Sequence, residues 1–185
     1  NLVFPCKKNE KEYYELVNSA IKNEDVSEMG NAYRSGECYQ DMLKRLKNRR
    51  NGIGISNRDV PATVFFIIDN HKVVGTIDLR HKLNDNYFSR LGHVAYYIKP
   101  EERKKGYAKI QLYLCLLKCK EYGLDKVLIT CANYNEGSRR TILSLGGIYE
   151  KNNINKLEEE ILKLYWINVD ESIKKYKNEY SKYII

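Results

Sequence analysis

Between Tyr107 and Tyr122 apolar side chains recur at three- and four-residue spacing, with Ala108, Leu112, Cys115, Leu116 and Cys119 on one face and Ile110, Leu114 and Leu117 beside them. A stripe that wide predicts a helix packed deep against a sheet, and Gly123 marks its end. On either side the period shortens. His93 to Lys99 and Lys126 to Cys131 read as strands, and Thr63 to Asp69 with Lys72 to Leu79 are β-branched runs around Asn70-His71, a hairpin. Asn9 to Lys22 and Glu37 to Arg50 have helical composition, the first carrying Leu16 and Ile21, the second Cys38, Met42, Leu43 and Leu46. Gly137 to Leu145 predicts a short helix and Ile161 to Val169 a strand. Asp170 is then placed to cap a final helix with Ile173, Tyr176, Tyr180 and Ile184 along one face.

No repeat or low-complexity linker interrupts this order, and 185 residues suffice for one domain with its own core, so residues 1–185 are expected to form a single domain. The 32 Lys and Arg exceed the 24 Asp and Glu, giving +8. These charges are spread and interleaved with Glu, which describes a solvated surface and argues against a nucleic-acid partner. Five cysteines (Cys6, Cys38, Cys115, Cys119, Cys131) form no C-x-x-C. They are expected to be reduced, mostly buried thiols of a cytoplasmic protein. Apolar runs such as Val64 to Ile68 fall far short of the ~20 residues that span a bilayer, so no membrane span is expected. No signal peptide is expected either, although the chain starts at Asn1 without methionine. Three scattered histidines without H-E-x-x-H predict no metal site.

The chemistry lies around the central helix. The strand before it ends at Pro100, and Arg103-Lys104-Lys105-Gly106-Tyr107-Ala108 opens it. A glycine turn feeding a helix N-terminus leaves backbone N–H groups unpaired, with the positive end of the helix dipole behind them. Five Lys or Arg against two Glu between Lys99 and Lys109 add to the positive field. Such a site suits a pyrophosphate. No Gly-Lys-Ser/Thr follows, and no G-x-G-x-x-G follows a strand. Gly52-Ile53-Gly54 lacks the third glycine.

Ile98-Lys99-Pro100, the R-x-x-G-x-A pattern of Arg103, Gly106 and Ala108, and then Asn135, Ser138 and Gly146 resemble the GNAT superfamily of acetyl-CoA-dependent N-acetyltransferases. The resemblance covers roughly Thr63 to Gly147. Within the superfamily the chain is similar to bacterial acetyltransferases with Gly-Gly where most members have Gly-Phe, and with a Tyr-Trp-Ile strand near the end; Gly146-Gly147 and Tyr165-Trp166-Ile167 stand in those places. The fold it implies is α/β (α+β), a GNAT-like mixed, mostly antiparallel central sheet flanked by helices. The two strands beside the cofactor helix would run parallel and splay to admit the pantetheine arm. The helices in 9–50 and the segment 161–185 would shape the acceptor site. Partners would be acetyl-CoA and a small-molecule or peptide amine, with the chain a monomer or homodimer.

The resemblance also implies residue roles. Backbone amides of Lys104, Lys105, Gly106, Tyr107 and Ala108 would hold the pyrophosphate, with Arg103 and Lys105 adding charge. Ile98 and Lys99 would pair with the pantetheine arm as an extra strand does. Asn135 would bond the same arm, with Ser138 beside it, although Asn135 equally suits a plain N-cap. Many relatives place a Glu seven residues ahead of the Pro; here that position is His93, a candidate general base, or else an ordinary strand histidine. The tyrosine that commonly protonates the departing thiolate is replaced by Ile142, which leaves the acid unassigned among Tyr134, Tyr149, Tyr96 and Tyr97. Cys131 is read as a buried structural thiol, and Asp78, Arg80, His81 and Asp85 as a solvated strand end or a feature of acceptor recognition. The second functional reading is an acetyl-CoA or CoA-binding sensor or assembly module with impaired catalysis.

Overall fold

Two antiparallel sheets meet against one central helix in the computed structural model of the protein, which describes residues 1–155 and 160–184. The first sheet has the spatial order β1 (Leu2–Val3), β2 (Ala62–Asp69), β3 (Lys72–Arg80), β4 (Val94–Ile98). In the second, β7 (Glu160–Asn168) lies between β5 (Lys126–Ala132) and β6 (Ile148–Asn155). The helices are α1 (Glu10–Lys22), α2 (Tyr39–Arg50), α3 (Asp85–Arg90), α4 (Tyr107–Glu121), α5 (Glu136–Ser144) and α6 (Val169–Tyr180). A 3-10 segment, Val26–Ala32, connects α1 towards α2.

The apolar run of β2 follows from burial on both faces. Phe65 and Ile67 enter a core shared with α4, whereas Val64 and Phe66 enter a second core with Tyr13, Leu16 and Met42 from α1 and α2. Asn70 and His71 both take left-handed backbone, with φ of 43° and 62°, as a two-residue turn between twisted strands requires. Helix α4 is buried nearly all round because it packs against β3 and β4 as well as α5 and α6. Gln111 pins it from within, its Nε2 donating to the Thr76 carbonyl at 3.1 Å.

The expected single mixed sheet is resolved into two sheets whose ladders are all antiparallel, because β4 and β5 exchange no ladder among the described residues. They touch at one bridge, Gly92 to Ile129. Only glycine fits there: φ is +63°, and a Cβ would stand 2.4 Å from the Leu128 carbonyl oxygen.

Other expectations change in detail. Helix α6 is capped by Asn168, whose side chain accepts from the Glu171 N–H at 3.1 Å, and Asp170 lies inside its first turn. Ile184 falls beyond that helix and is 47% exposed. Cys115, Cys119 and Cys131 are buried, while Cys6 and Cys38 are exposed. Strand β1, helix α3 and strand β6 complete the fold without having been expected. No helix among the described residues is long and apolar enough to cross a membrane.

Candidate active site

Strand β4 runs into a 3-10 turn at Pro100–Glu102, and the chain then reverses through two left-handed residues, Lys104 (φ 62°) and Gly106 (φ 89°), before α4 begins. No backbone acceptor within the described chain meets the N–H groups of Lys104, Lys105, Gly106, Tyr107 or Ala108. A Cβ at Gly106 would find nothing within 4 Å, so the space above the turn is open. Five free amides at a helix N-terminus make an anion cradle that fits a pyrophosphate. The side chains around it are less free. Lys105 pairs with Glu102 at 2.9 Å, and the Tyr107 hydroxyl donates to Asp69 at 2.6 Å. That carboxylate raises the Tyr107 pKa to about 12.

Arg103 turns away from the cradle. Its Nε donates to the Ile98 carbonyl at 3.0 Å, and its guanidinium pairs with Asp25 and lies over the Tyr97 ring, 5.4 Å from the centroid. Asp25 also accepts from the Tyr97 hydroxyl at 2.8 Å. Arg103 thus ties the end of β4 to the segment that follows α1.

On β4 the ladder alternates. His93 and Lys99 exchange backbone bonds with β3, through His93 O with Arg80 N at 2.8 Å and Lys99 N with Val74 O at 2.9 Å. The backbone groups of Tyr96 and Ile98 therefore point away from β3. Of the two residues expected to meet the pantetheine, Ile98 presents its N–H on that side, while its carbonyl is taken by Arg103. The Lys99 N–H is committed to the ladder, and its carbonyl accepts from Glu102 N at 2.9 Å.

The opposite wall is the start of α5. Asn135 Oδ1 accepts from the Ser138 N–H at 3.0 Å, which is the N-cap role the sequence also allowed. Tyr96 reaches across from β4, its hydroxyl 2.9 Å from Ser138 Oγ. Burial raises the pKa of this hydroxyl and keeps it protonated. The other tyrosines are placed elsewhere. Tyr134 is 80% exposed, Tyr149 bonds Asn152 on the edge strand β6, and Tyr97 faces Asp25. Ile142 is fully buried. Cys131 is buried too, and burial pushes its thiol pKa up, away from nucleophile chemistry.

His93 lacks what a base needs. It is buried beside the bridge, and its Nδ1 accepts the Leu128 N–H at 2.9 Å, so the ring proton sits on Nε2 and no lone pair remains free. Burial, aided by Arg80, lowers its pKa to about 4. The edge of the ring meets Trp166.

Asp78 and Arg80, read from sequence as a solvated strand end or a feature of acceptor recognition, are 7% and 3% exposed. Asp78 accepts from Arg49 Nη1 at 2.8 Å and Asn31 Nδ2 at 3.0 Å. His81 bonds Thr63 at 2.9 Å, whereas Asp85 is exposed in α3. Arg49 was missed, yet the spacing of Tyr39, Met42, Leu46 and Arg49 carries it onto the buried face of α2, and that is the signal that marks it.

A profile of the acetyltransferase (GNAT) family matches residues 23–146, and the chain belongs to that family. The protein yncA of Salmonella typhimurium, solved with its cofactor acetyl-CoA, superposes with a TM-score of 0.64 at 16% identity, over 92% of this chain and 94% of that one. A variant of the spermidine N-acetyltransferase SpeG from Vibrio cholerae gives 0.62 at 16%, over 95% and 98%. The ribosomal-protein-S5-alanine acetyltransferase of Vibrio fischeri gives 0.63 at 19%, over 91% of each chain. At such identities the likeness shows the fold. No curated protein matches the chain in sequence.

Proposed function

We propose that this chain transfers the acetyl group of acetyl-CoA to a primary amine in a ternary complex. The observation that carries this is the row of five unpaired amides from Lys104 to Ala108 around left-handed Gly106. They would take the pyrophosphate, and the free N–H of Ile98 would take the pantetheine arm as an added strand. Neighbours named for spermidine and for a protein's alanine act on amines, which supports an amine acceptor.

The acceptor nitrogen attacks the acetyl carbon, the C–N bond forms, and the C–S bond breaks. The amine's proton passes to water rather than to His93, whose one lone pair is already bonded. Tyr96 lies on β4 facing the start of α5, and its hydroxyl, steadied by Ser138, donates a hydrogen bond to the departing thiolate, which takes up the amine's proton through water. The exposed Tyr134 is not needed for that step.

The test is thiol release from acetyl-CoA with amino acids, polyamines, aminoglycosides and lysyl or N-terminal peptides, beside calorimetric binding of acetyl-CoA. Release above background is expected with one class of amine. The second reading, a CoA-binding sensor, draws on the buried Ile142 and the committed His93; it predicts tight binding without release across the panel. Absence of binding would overturn both.

A further inference from the structure

Beneath the 3-10 segment Val26–Ala32 lies a cavity of about 30 Å³, lined among others by Glu28, Asn31, Asp78, Arg80, Ala95 and Tyr96. Ala95 and Tyr96 put it against β4, the strand whose free backbone edge faces the proposed thioester. Two arginines, Arg49 and Arg80, each 3% exposed, lie below it with the buried carboxylate of Asp78 between them, and the partly buried Asp59 stands 3.5 Å from Arg49 Nε. Asp78 is already engaged: Arg49 and Asn31 donate to it, and Arg80 Nη2 stands 3.4 Å away. Arg80 also sends Nη1 to the carbonyls of Leu91 and Gly92, at 3.2 and 3.3 Å. Its Nε still meets no acceptor, nor does Nη2 of Arg49. Buried charged donors without acceptors are rare because their lost hydration is returned by nothing. At the rim the picture reverses. Glu28 is exposed, and no side chain among the described residues pairs with its carboxylate.

Resting on the acetyl-transfer reading above, we infer that this cavity is the acceptor subsite, and that it takes an amine carrying a carboxylate, an amino acid or a close analogue, with the carboxylate on Arg80 and the amino end toward Glu28. A space of this size holds a carboxylate head or the one or two waters it would displace. A planar anion also answers the fork geometry of a guanidinium. A polyamine fits less well, because one of its ammonium groups would have to approach Arg80 across a like charge.

The experiment is calorimetric titration of the full chain with single amino acids, their carboxamides, their des-amino acids and spermidine, with and without CoA. At least one amino acid is expected to bind ten times or more tighter than its carboxamide. Arg80→Gln is expected to erase that ratio while leaving CoA affinity unchanged. Should Arg80→Gln not fold, Glu28→Gln on the exposed rim is expected to weaken the amino acid at least fivefold and to leave the des-amino acid as it was. Carboxamides or spermidine binding as tightly as the acids, or no amino acid binding in either arm, would overturn the subsite. Failure of CoA alone to bind would count against the cosubstrate reading, while the acid-to-amide ratio in the CoA-free arm still decides this one.

Discussion

Gly147 lies so close to Ile142 that a Cβ at Gly147 would stand 2.4 Å from Ile142 Cγ2 and 2.8 Å from the Ile142 carbonyl oxygen, to which the Gly147 N–H donates at 3.0 Å. Gly147 and Ile142 are therefore one packing solution. Ile142 fills the interior, and the backbone at Gly147 passes where no side chain has room. Gly147→Ala is expected to cost about 1–3 kcal/mol by overpacking, read as a lowered melting temperature. Ile142→Ala removes the clashing methyl, so the double variant should lose at least ~0.5 kcal/mol less than the sum of the single losses. Strict additivity would disprove the pairing.

His93 sets an acid limit on stability. Its folded pKa of about 4 lies below the unfolded value of about 6.5, so between those values the unfolded chain binds one more proton. Its contribution is complete above about pH 6.5 and is lost on acidification towards pH 4, at roughly 1 kcal/mol per pH unit. Denaturation across this range should show that slope. His93→Asn, whose Oδ1 replaces Nδ1 as acceptor for the Leu128 N–H, should flatten it and keep the transfer rate within about tenfold. A loss nearer the ~10²-fold of a missing base, with acetyl-CoA affinity intact, would restore His93 to the chemistry.

Gly106→Glu separates binding from folding. Nothing crowds a Cβ at Gly106, so the cost to stability is the left-handed backbone, about 1–2 kcal/mol. A carboxylate over the amide cradle should weaken acetyl-CoA at least ~10-fold in calorimetry, an electrostatic cost above about 1.4 kcal/mol. Unchanged affinity would remove the cradle from the proposal.

Tyr96→Phe keeps the ring and deletes the hydroxyl that meets Ser138. The expected result is a fall of about 10²-fold in the acetyl-transfer step at unchanged acetyl-CoA affinity. With an acetyl donor whose thiol is more acidic, the fall should shrink, because such a sulfur departs without help. An equal loss for both donors would indicate a structural role only.

The sequence displayed most clearly what depends on local spacing. The stripe of α4, the Asn70-His71 hairpin and the turn at Gly106 are each written in consecutive residues, and each is present. What it concealed depends on distant partners. Strand β1 is two residues long and exists because Leu2 and Val3 pair with Ile67 and Phe66. Strand β6 reads as polar because it is an edge, with Ile148 and Ile154 largely exposed. In the site, residue types led to the unpaired amides before α4 but not to side-chain direction. Arg103 looked like a phosphate ligand and turns to Asp25, while Asp78 and Arg80 looked solvated and are buried by Arg49, 29 positions from Asp78. His93 suited a base by type, and only the Leu128 N–H shows where its lone pair goes.

Each sheet is also drawn from one unbroken stretch of chain, residues 2–98 for the first and 126–168 for the second, with α4 between them and a single bridge joining them. During synthesis the first sheet and the two helices over it have all their strands before the second sheet begins to emerge. The early half is then left with one apolar face waiting for α4, and the nascent chain is most exposed to mispairing in the interval needed to make about thirty further residues, roughly two to six seconds at ribosomal speed.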